Sequence, residues 1–217
     1  GTNHQYMLFF TQKGKCFWMR VYEIPEGSKN SKGRAMQNLI NIEQDDRVKA
    51  FICTQDLKDE EYVNSNYVIM ATKMGQVKKT SLEQYSRPRS NGINAITIKD
   101  GDELLEAKLT NGNSQIMLAV KSGKAIRFEE SKTRPMGRNA SGVRGIRLKD
   151  NKDEVVGMIS VNDMDANILV VSENGFGKRS SLEDYRLTNR GGKGVKTISI
   201  TEKTGKLVTL KSVSDND

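Results

Sequence analysis

Short apolar runs alternate with glycine-bearing polar turns along the chain, and the pattern occurs four times. The apolar runs occupy residues 6–10, 67–71, 116–120 and 168–172, and each is followed by a glycine, at Gly14, Gly75, Gly123 or Gly175. Because hairpin turns need the positive φ that glycine adopts freely, each run with its turn predicts a strand, a tight turn and a second strand. A fourfold internal repeat of this kind predicts a repetitive β fold.

A second glycine marks a later, equivalent point of every repeat: Gly33, Gly92, Gly142 and Gly194. In three repeats, apolar residues follow it by one, four and six positions, as Ile93, Ile96 and Ile98, as Val143, Ile146 and Leu148, and as Val195, Ile198 and Ile200. In the first repeat Ile40 and Ile42 match if three residues are inserted. An acidic turn and another β-rich run, at 48–52, 104–109, 155–159 and 207–210, complete the repeat. Each repeat therefore predicts four strands, and helical patterning is weak throughout.

Repeats of about 50 residues with four strands are typical of propeller blades, because one small sheet cannot bury both faces until neighbours stack on it. The repeats cover approximately residues 3–61, 62–114, 115–166 and 167–214. We therefore predict an all-β, propeller-like array of four-stranded blades that forms a single domain over residues 1–217. The apolar runs are expected to serve as the packing core.

Basic residues concentrate at one part of the repeat. The segments that run from the first turn to just past the second glycine are 13–34, 73–92, 121–147 and 178–196, and they hold 25 of the 35 lysines and arginines but 7 of the 27 acids. The rest of the chain is therefore net negative, although the whole carries a charge of +8. Stacking the repeats in an arc should join the basic segments into one positive band on the outer rim, with the acidic turns elsewhere.

Candidate binding residues are the cations of this band and the glycines among them. Glycine beside a cation lets the backbone approach phosphate oxygens and present N–H groups to them. The alternative is an ordinary solvated surface rich in lysine and arginine. The candidates are Lys32, Arg34, Arg87, Arg89, Arg134, Arg138, Arg144, Lys178, Arg179, Arg190, Gly191, Gly192, Lys193 and Gly194.

Catalytic and metal chemistry find no support in the sequence. Cys16 and Cys53 lack CxxC spacing and are expected to be buried free thiols, while the single histidine, His4, is expected to lie in a frayed terminus. Nucleotide-binding, zinc-protease and serine-hydrolase motifs are missing, so the chain is not predicted to be an enzyme by itself, and neither a metal nor a cofactor is predicted. No apolar run of about 18 residues or secretory signal predicts contact with a membrane.

Duplex DNA is the polyanion that the pattern favours. Tyr22, Tyr85 and Tyr185 recur at a similar repeat position and are interpreted as packing residues, which leaves few aromatic faces for stacking single-stranded bases. A recognition helix for the major groove is also missing. We therefore expect a double helix to be held by its phosphates along a curved surface, with specificity limited to shape and deformability.

Four stretches resemble the C-terminal domain of bacterial DNA gyrase A: residues 6–14 (YMLFFTQKG), 22–25 (YEIP), 137–143 (GRNASGV) and 189–195 (NRGGKGV). The resemblance covers essentially the whole chain. The family's seven-residue box, QRRGGKG, corresponds to residues 188–194, where Thr188 and Asn189 replace the first two letters. Because the family carries its principal box in the first of about six blades, the stretch here is expected to be a box-like copy in a later blade.

The resemblance implies a β-pinwheel, in which propeller-like blades exchange strands with their neighbours and wrap duplex DNA around a basic rim. It implies an accessory role in negative supercoiling by an ATP-dependent type II topoisomerase, with the rest of gyrase A and with gyrase B as partners. The catalytic tyrosine, the metal-binding acids and the ATP site belong to other parts of that assembly. A cytoplasmic, nucleoid-associated location follows, and full wrapping is expected to need the blade with the principal box.

Two alternatives remain open from the sequence. The equivalent domain of topoisomerase IV has more degenerate boxes and bends DNA less completely. A propeller-like protein-interaction module would instead bind its partner through an apolar or acidic face, and its duplex affinity would be absent.

Overall fold

The computed structural model describes residues 2–214, and these form an all-β chain with one short α-helix. In chain order the elements are β1 (Gln5–Thr11), β2 (Lys15–Arg20), β3 (Val48–Asp56), α1 (Glu60–Ser65), β4 (Tyr67–Thr72), β5 (Gln76–Ser81), β6 (Ile93–Asn94), β7 (Leu104–Thr110), β8 (Gln115–Val120), β9 (Lys124–Glu129), β10 (Val143–Arg144), β11 (Val155–Val161), β12 (Asn167–Ser172), β13 (Gly177–Ser181), β14 (Val195–Lys196) and β15 (Leu207–Val213). Five short 3₁₀ helices lie at Val21–Glu23, Met36–Asn38, Leu82–Tyr85, Glu130–Lys132 and Leu182–Asp184.

The strands form four antiparallel sheets, which we call blades 1 to 4. Their strand orders are β3-β1-β2-β6, β7-β4-β5-β10, β11-β8-β9-β14 and β15-β12-β13. In each of the first three blades the outermost strand comes from the following repeat. The strand exchange implied by the family resemblance is therefore confirmed, and β6, β10 and β14 are the exchange strands. Within residues 2–214, blade 4 has three strands.

The blades stand side by side in an arc. Strands β3, β7, β11 and β15 each form one edge of their blade. Each contacts the next of these strands along the inner side. Backbone bonds repeat at each junction: the N–H groups at the start of β7, β11 and β15 bond to the first turn of the preceding repeat, from Leu104 to Gln12, from Val155 to Lys73 and from Leu207 to Lys121. The exchange strands form the opposite, outer edge.

Each main apolar cluster lies between two neighbouring blades. Ile69 and Val77 of blade 2, for example, pack with Leu118 and Phe128 of blade 3. Strands β4 and β8 are buried on both faces, because each belongs to a blade with neighbours on both sides. Their unbroken apolar runs follow from this sandwiching, whereas β12, in blade 4, alternates between buried and half-buried residues. Full burial of one valine, leucine, isoleucine, phenylalanine or methionine side chain stabilises the fold by about 1.5–3 kcal/mol.

The crossover from one repeat to the preceding blade requires glycine at the hairpin tip. Gly14 has φ +88°, and a Cβ at this position would lie 2.4 Å from the carbonyl oxygen of Ile96. That oxygen belongs to the next repeat, which passes over the turn and donates its Ala95 N–H to the Gly14 carbonyl at 2.7 Å. The first glycine of the repeat is therefore needed both by its own hairpin turn and by the chain of the next repeat that passes over this turn.

Two packing predictions are wrong. Cys53 is exposed, because it lies on the outward face of β3 in blade 1, whereas Cys16 is buried as predicted. Tyr22 is 59% exposed and stands near the Arg20 guanidinium, while Tyr85 and Tyr185 are buried as predicted. Residues of the first repeat differ from their equivalents because blade 1 has a single neighbouring blade within residues 2–214.

Candidate nucleic-acid interface

The crossover segments are residues 92–98, 142–148 and 194–200, and they lie edge to edge along the outer side of the arc because each of the first two is hydrogen-bonded to the loop that leads into the next one. The Thr97 N–H donates to the Ala140 carbonyl at 3.2 Å, and the Arg147 N–H donates to the Gly192 carbonyl at 2.8 Å. The two bonds are equivalent. Each joins a residue five places after the second glycine of one repeat to a residue two places before the second glycine of the following repeat. The loops that carry the predicted basic residues of repeats 2, 3 and 4 are thus joined to each other by backbone bonds.

The first repeat is linked to this edge through a side chain. With the three-residue insertion, Asn41 is the equivalent of Thr97, and its amide donates to the Ser90 carbonyl at 3.2 Å. Ile40 and Ile42 are buried against Phe9 and neighbouring apolar side chains of blade 1. The alignment inferred from the apolar pattern of the first repeat agrees with both contacts.

The box-like stretch 188–194 is held against repeat 3. The Gly191 N–H donates to the Gly145 carbonyl at 2.8 Å, and the Arg190 guanidinium donates to the Arg144 carbonyl at 2.7 Å. Gly194 has φ +76°, and a Cβ there would lie 2.4 Å from the Ala125 carbonyl oxygen. Gly191 and Gly194 therefore serve close backbone approach between repeats.

Exchange pairing brings cations of different repeats together on the rim. Lys196 of β14 pairs with Lys124 of β9, and Arg144 of β10 pairs with Gln76 of β5. Lys124, Lys196 and Arg147 lie within the basic segments of the sequence but were not singled out there, because only the exchange places them next to other cations. Like charges in direct cross-strand register destabilise a sheet unless an anion offsets them.

The predicted site residues divide into exposed cations and cations bonded within the fold. Arg87 forms an ion pair with Glu83 at 2.7 Å, and Arg138 and Arg190 are half-buried and donate to backbone carbonyls. We call the exposed group, together with Lys196, the basic rim. Its members are Lys32, Arg34, Arg89, Arg134, Arg144, Lys193 and Lys196.

Lys78 ties the loop before an exchange strand to the blade that receives it. Its side chain is fully buried, and its Nζ donates to the carbonyls of Ala95 at 2.5 Å and Arg138 at 2.6 Å. Burial and the nearby Arg138 charge lower the pKa of Lys78 to about 7. Lys178 is its equivalent in repeat 4, and its Nζ donates to the Thr197 carbonyl at 3.2 Å. The predicted DNA contact by Lys178 thus concerns a side chain already bonded to a crossover segment.

The residue directly after the Lys78 position contacts the following repeat in repeats 1 and 3. Trp18 Nε1 donates to the Tyr85 carbonyl at 2.9 Å, and the Arg127 guanidinium donates to the Tyr185 carbonyl at 2.9 Å. Arg179 occupies the equivalent position in repeat 4. Its role in binding DNA stays a prediction.

Acidic turns lie beside the first hairpin turns. Lys13 contacts Glu43 at 3.1 Å and Asp45 at 2.6 Å, and Lys73 contacts Glu154 at 3.3 Å. The pKa of Lys13 is raised by these two carboxylates. The hairpin tips therefore carry mixed charge, and uncompensated positive charge lies toward the crossover segments.

Comparison with known proteins agrees with this architecture. The family model described as DNA gyrase C-terminal domain, beta-propeller, matches residues 5–55, 66–111, 115–162 and 166–214. The chain belongs to the DNA gyrase C-terminal domain family. The family predicted from the sequence is thus confirmed.

The DNA gyrase A protein of Staphylococcus epidermidis is 43% identical over 217 residues, which is 100% of this chain and 24% of that protein. The chain therefore spans about a quarter of the length of the curated relatives it matches. The solved C-terminal domain of DNA topoisomerase IV has a TM-score of 0.86 and 26% identity, over 98% of this chain and 65% of that one. The DNA gyrase A C-terminal domain has a TM-score of 0.80 and 25% identity, over 99% and 68%.

Metal binding and membrane spanning are two further possibilities for residues 2–214. In that range no group of three or more histidine, cysteine, aspartate or glutamate side chains is arranged to hold a metal ion. The helices of the same range include none with the length and apolar character needed to span a bilayer.

Proposed function

We propose that the basic rim binds the phosphate backbone of duplex DNA without reading its sequence and bends the helix around the arc. The observation that carries this proposal is the edge-to-edge bonding of the crossover segments, which lines up exposed cations from successive repeats. Arg134, Arg144 and Lys193 come from two repeats, yet their loops are in direct backbone contact. Phosphate contacts of this type position DNA but carry no base identity.

The curvature of the rim favours bending. A duplex that follows cations on a convex arc must bend, and the deformation is offset by the additional phosphate contacts that the bend permits. The 43% identity to gyrase A supports an accessory role in a gyrase-type topoisomerase, in which this domain shapes DNA and the rest of gyrase A performs strand passage together with gyrase B. The same identity also supports a role in gyrase rather than in topoisomerase IV. A cytoplasmic, nucleoid-associated location goes with this role.

The proposal is tested by titrating a fluorescent duplex with the chain at several salt concentrations. If about six phosphates are neutralised, log affinity falls against log salt with a slope near −5. The double variant Arg144→Gln with Lys196→Gln should reduce the magnitude of this slope by about 2, because each cation that holds one phosphate contributes about one unit.

The control is Lys58→Gln with Lys211→Gln, which makes the same change in net charge outside the crossover segments. Both of these lysines are exposed. We expect the control to leave the slope almost unchanged. A flat salt response of the unmodified chain, or equal losses in the two double variants, would contradict a rim that binds phosphates.

A further inference from the structure

A basic cavity of about 360 Å³ lies beside the basic rim, where the loop before β14 of repeat 4 meets repeat 3. It is lined by four cations from three separate stretches: Lys124 at the start of β9, Arg147 and Lys149 after β10, and Lys193 before β14. Within residues 2–214 these four side chains make no ion pair with an acid. At roughly 30 Å³ per water molecule, the cavity has room for a phosphate group with part of its hydration shell.

The one carboxylate in the lining is already satisfied by the protein. Asp153 is buried and accepts hydrogen bonds from the N–H and hydroxyl of Ser122 at 3.0 and 2.7 Å. It also accepts from the N–H of Lys149 at 3.2 Å and of Glu154 at 3.0 Å. Asp153 thus holds the hairpin turn in place, and the four cations outnumber it.

The same positions at the other repeat junctions are not basic. Where repeats 2 and 3 meet they are Gln76, Thr97, Lys99 and Ser141. Where repeats 1 and 2 meet they are Lys15, Asn41, Glu43 and Asn91, and Glu43 is paired with Lys13. Each of these two sets of positions contains one cation, whereas the set that lines the cavity contains four, although the backbone pattern repeats. Ordinary packing of the fold therefore does not require the cluster.

Mutual repulsion makes the cluster costly in the free protein. Lys124 also pairs directly with Lys196 across β9 and β14, which adds a fifth positive charge to the same region. A cluster of this kind is stabilised by an anion that several cations contact at once.

We propose that Lys124, Arg147, Lys149 and Lys193 form a phosphate-binding site, and that its occupant is one backbone phosphate of the bound duplex. This inference rests on the proposed function, which it sharpens. Held by several cations, that phosphate is bound more tightly than one held by a single cation of the basic rim. It fixes the position of the double helix where repeats 3 and 4 meet.

The test compares two triple variants with equal change in net charge. The pocket variant is Arg147→Gln, Lys149→Gln and Lys193→Gln, and the rim variant is Arg89→Gln, Arg134→Gln and Arg144→Gln. Loss of three of the four cations that share one phosphate should reduce the magnitude of the salt slope by at most about 1, whereas loss of three cations that each hold their own phosphate should reduce it by about 3. The pocket variant should nevertheless lose roughly 10- to 100-fold in duplex affinity at fixed salt, since charge-assisted bonds are lost.

A second measurement uses inorganic phosphate alone, titrated at constant ionic strength with chloride and followed by amide chemical shifts. Saturable shifts at Ser122, Lys149 and Lys193 that vanish in the pocket variant would support the site. Shifts spread evenly over the rim, or identical slopes for the two triple variants, would overturn it while leaving general duplex binding intact. If the unmodified chain binds inorganic phosphate in the pocket but shows no salt-dependent duplex affinity, the proposed function and the duplex occupant both fail, and the site serves a free phosphate.

Transfer of the site to the neighbouring junction gives an independent test. Gln76→Lys, Thr97→Arg and Ser141→Lys would supplement Lys99 and reproduce all four cations where repeats 2 and 3 meet. A second saturable phosphate site and a gain in duplex affinity are expected. If the transferred cluster binds nothing although the variant unfolds at the same temperature as the unmodified chain, four cations at this junction are not sufficient, and the inference is wrong.

Discussion

Buried charged side chains stand where two blades meet and are tied to partners in the neighbouring repeat. Lys79 of blade 2 contacts Glu130 of repeat 3 at 3.6 Å, and both are buried. The Glu130 carboxylate also accepts hydrogen bonds from the Thr110 hydroxyl and from the Ser114 N–H. The Lys79 ammonium lies 4.3 Å from the centre of the Tyr67 ring. Removal of one partner from such a group leaves an uncompensated buried charge.

Glu130→Ala should therefore lower the free energy of unfolding by about 3–5 kcal/mol. Glu129→Ala is the matched control, because Glu129 is adjacent and exposed, and its loss should change stability by less than about 0.5 kcal/mol. Urea denaturation measures both. Similar midpoints for the two variants would mean that the buried pair adds nothing to the junction.

Lys78 makes stability depend on pH. An unfolded chain carries this lysine with the ordinary pKa of 10.5, whereas the folded chain holds it at about 7. Between these values the unfolded state binds more protons, so the free energy of unfolding should rise from about pH 7 towards pH 10.5, by at most about 1.4 kcal/mol per pH unit. Below pH 7 the contribution of this group is at its lowest and nearly constant. The groups that face it are the Arg138 cation and the Tyr85 hydroxyl, which shares the Ala95 carbonyl.

Lys78→Met should remove this rise, and Lys99→Met, which changes an exposed lysine, should retain it. Chemical denaturation at pH 6.5, 8 and 9.5 is the measurement. A parallel pH dependence in both variants would show that other groups cause it.

Individual elements owe their form to the exchange between repeats. The exchange strands have two residues each, too few to persist alone, and they are held by their pairing and by bonds of the crossover segments to the hairpin glycines. In β14 this pairing begins directly after Gly194, where the backbone passes against Ala125 of β9. A side chain at that position would push the exchange strand away from the blade.

Two glycines of the box-like stretch should consequently respond differently to alanine. Gly194→Ala should lower the free energy of unfolding by about 1–3 kcal/mol, since φ is +76° and the new Cβ would lie 2.4 Å from the Ala125 oxygen. Gly192→Ala should be tolerated, because the nearest atom to its new Cβ is 3.7 Å away. Thermal unfolding and duplex titration of both variants check this. Equal stability of the two would refute a structural requirement at Gly194.

Over the whole molecule, lysines paired with acids and exposed cations occupy different regions. Glu103, directly before β7, pairs both with Lys49 of β3 and with Lys73 of a hairpin tip, whereas the crossover segments leave cations exposed. Because contacts along such a rim reach phosphates rather than base edges, affinity should be nearly independent of sequence.

The double variant Arg144→Gln with Lys196→Gln should accordingly weaken binding to two unrelated duplexes of equal length by the same factor. Parallel titrations at one salt concentration give both factors. A loss confined to one duplex would indicate base-specific contacts. Stiff and flexible duplexes provide the further comparison, since deformability is the remaining source of specificity.

The amino-acid pattern alone was enough for the fold class and the family. Hairpin glycines such as Gly75 and apolar runs such as β4 are local features, and strand and turn preferences act over a few residues. Even the insertion in the first repeat could be placed, from Ile40 and Ile42. The concentration of cations in one part of the repeat could likewise be read from composition.

Contacts between repeats were decided by tertiary structure. Nothing local indicates that Lys78 is buried between two carbonyls, that Tyr22 and Cys53 are exposed, or that Lys124 lies beside Lys196. Exchange pairs blades 1 to 3 with a strand from the next repeat, so burial and charge at a position depend on residues 66 to 79 places away. A pattern with a period of two residues determines which face a side chain occupies, whereas the identity of the neighbour on that face depends on how the blades pack.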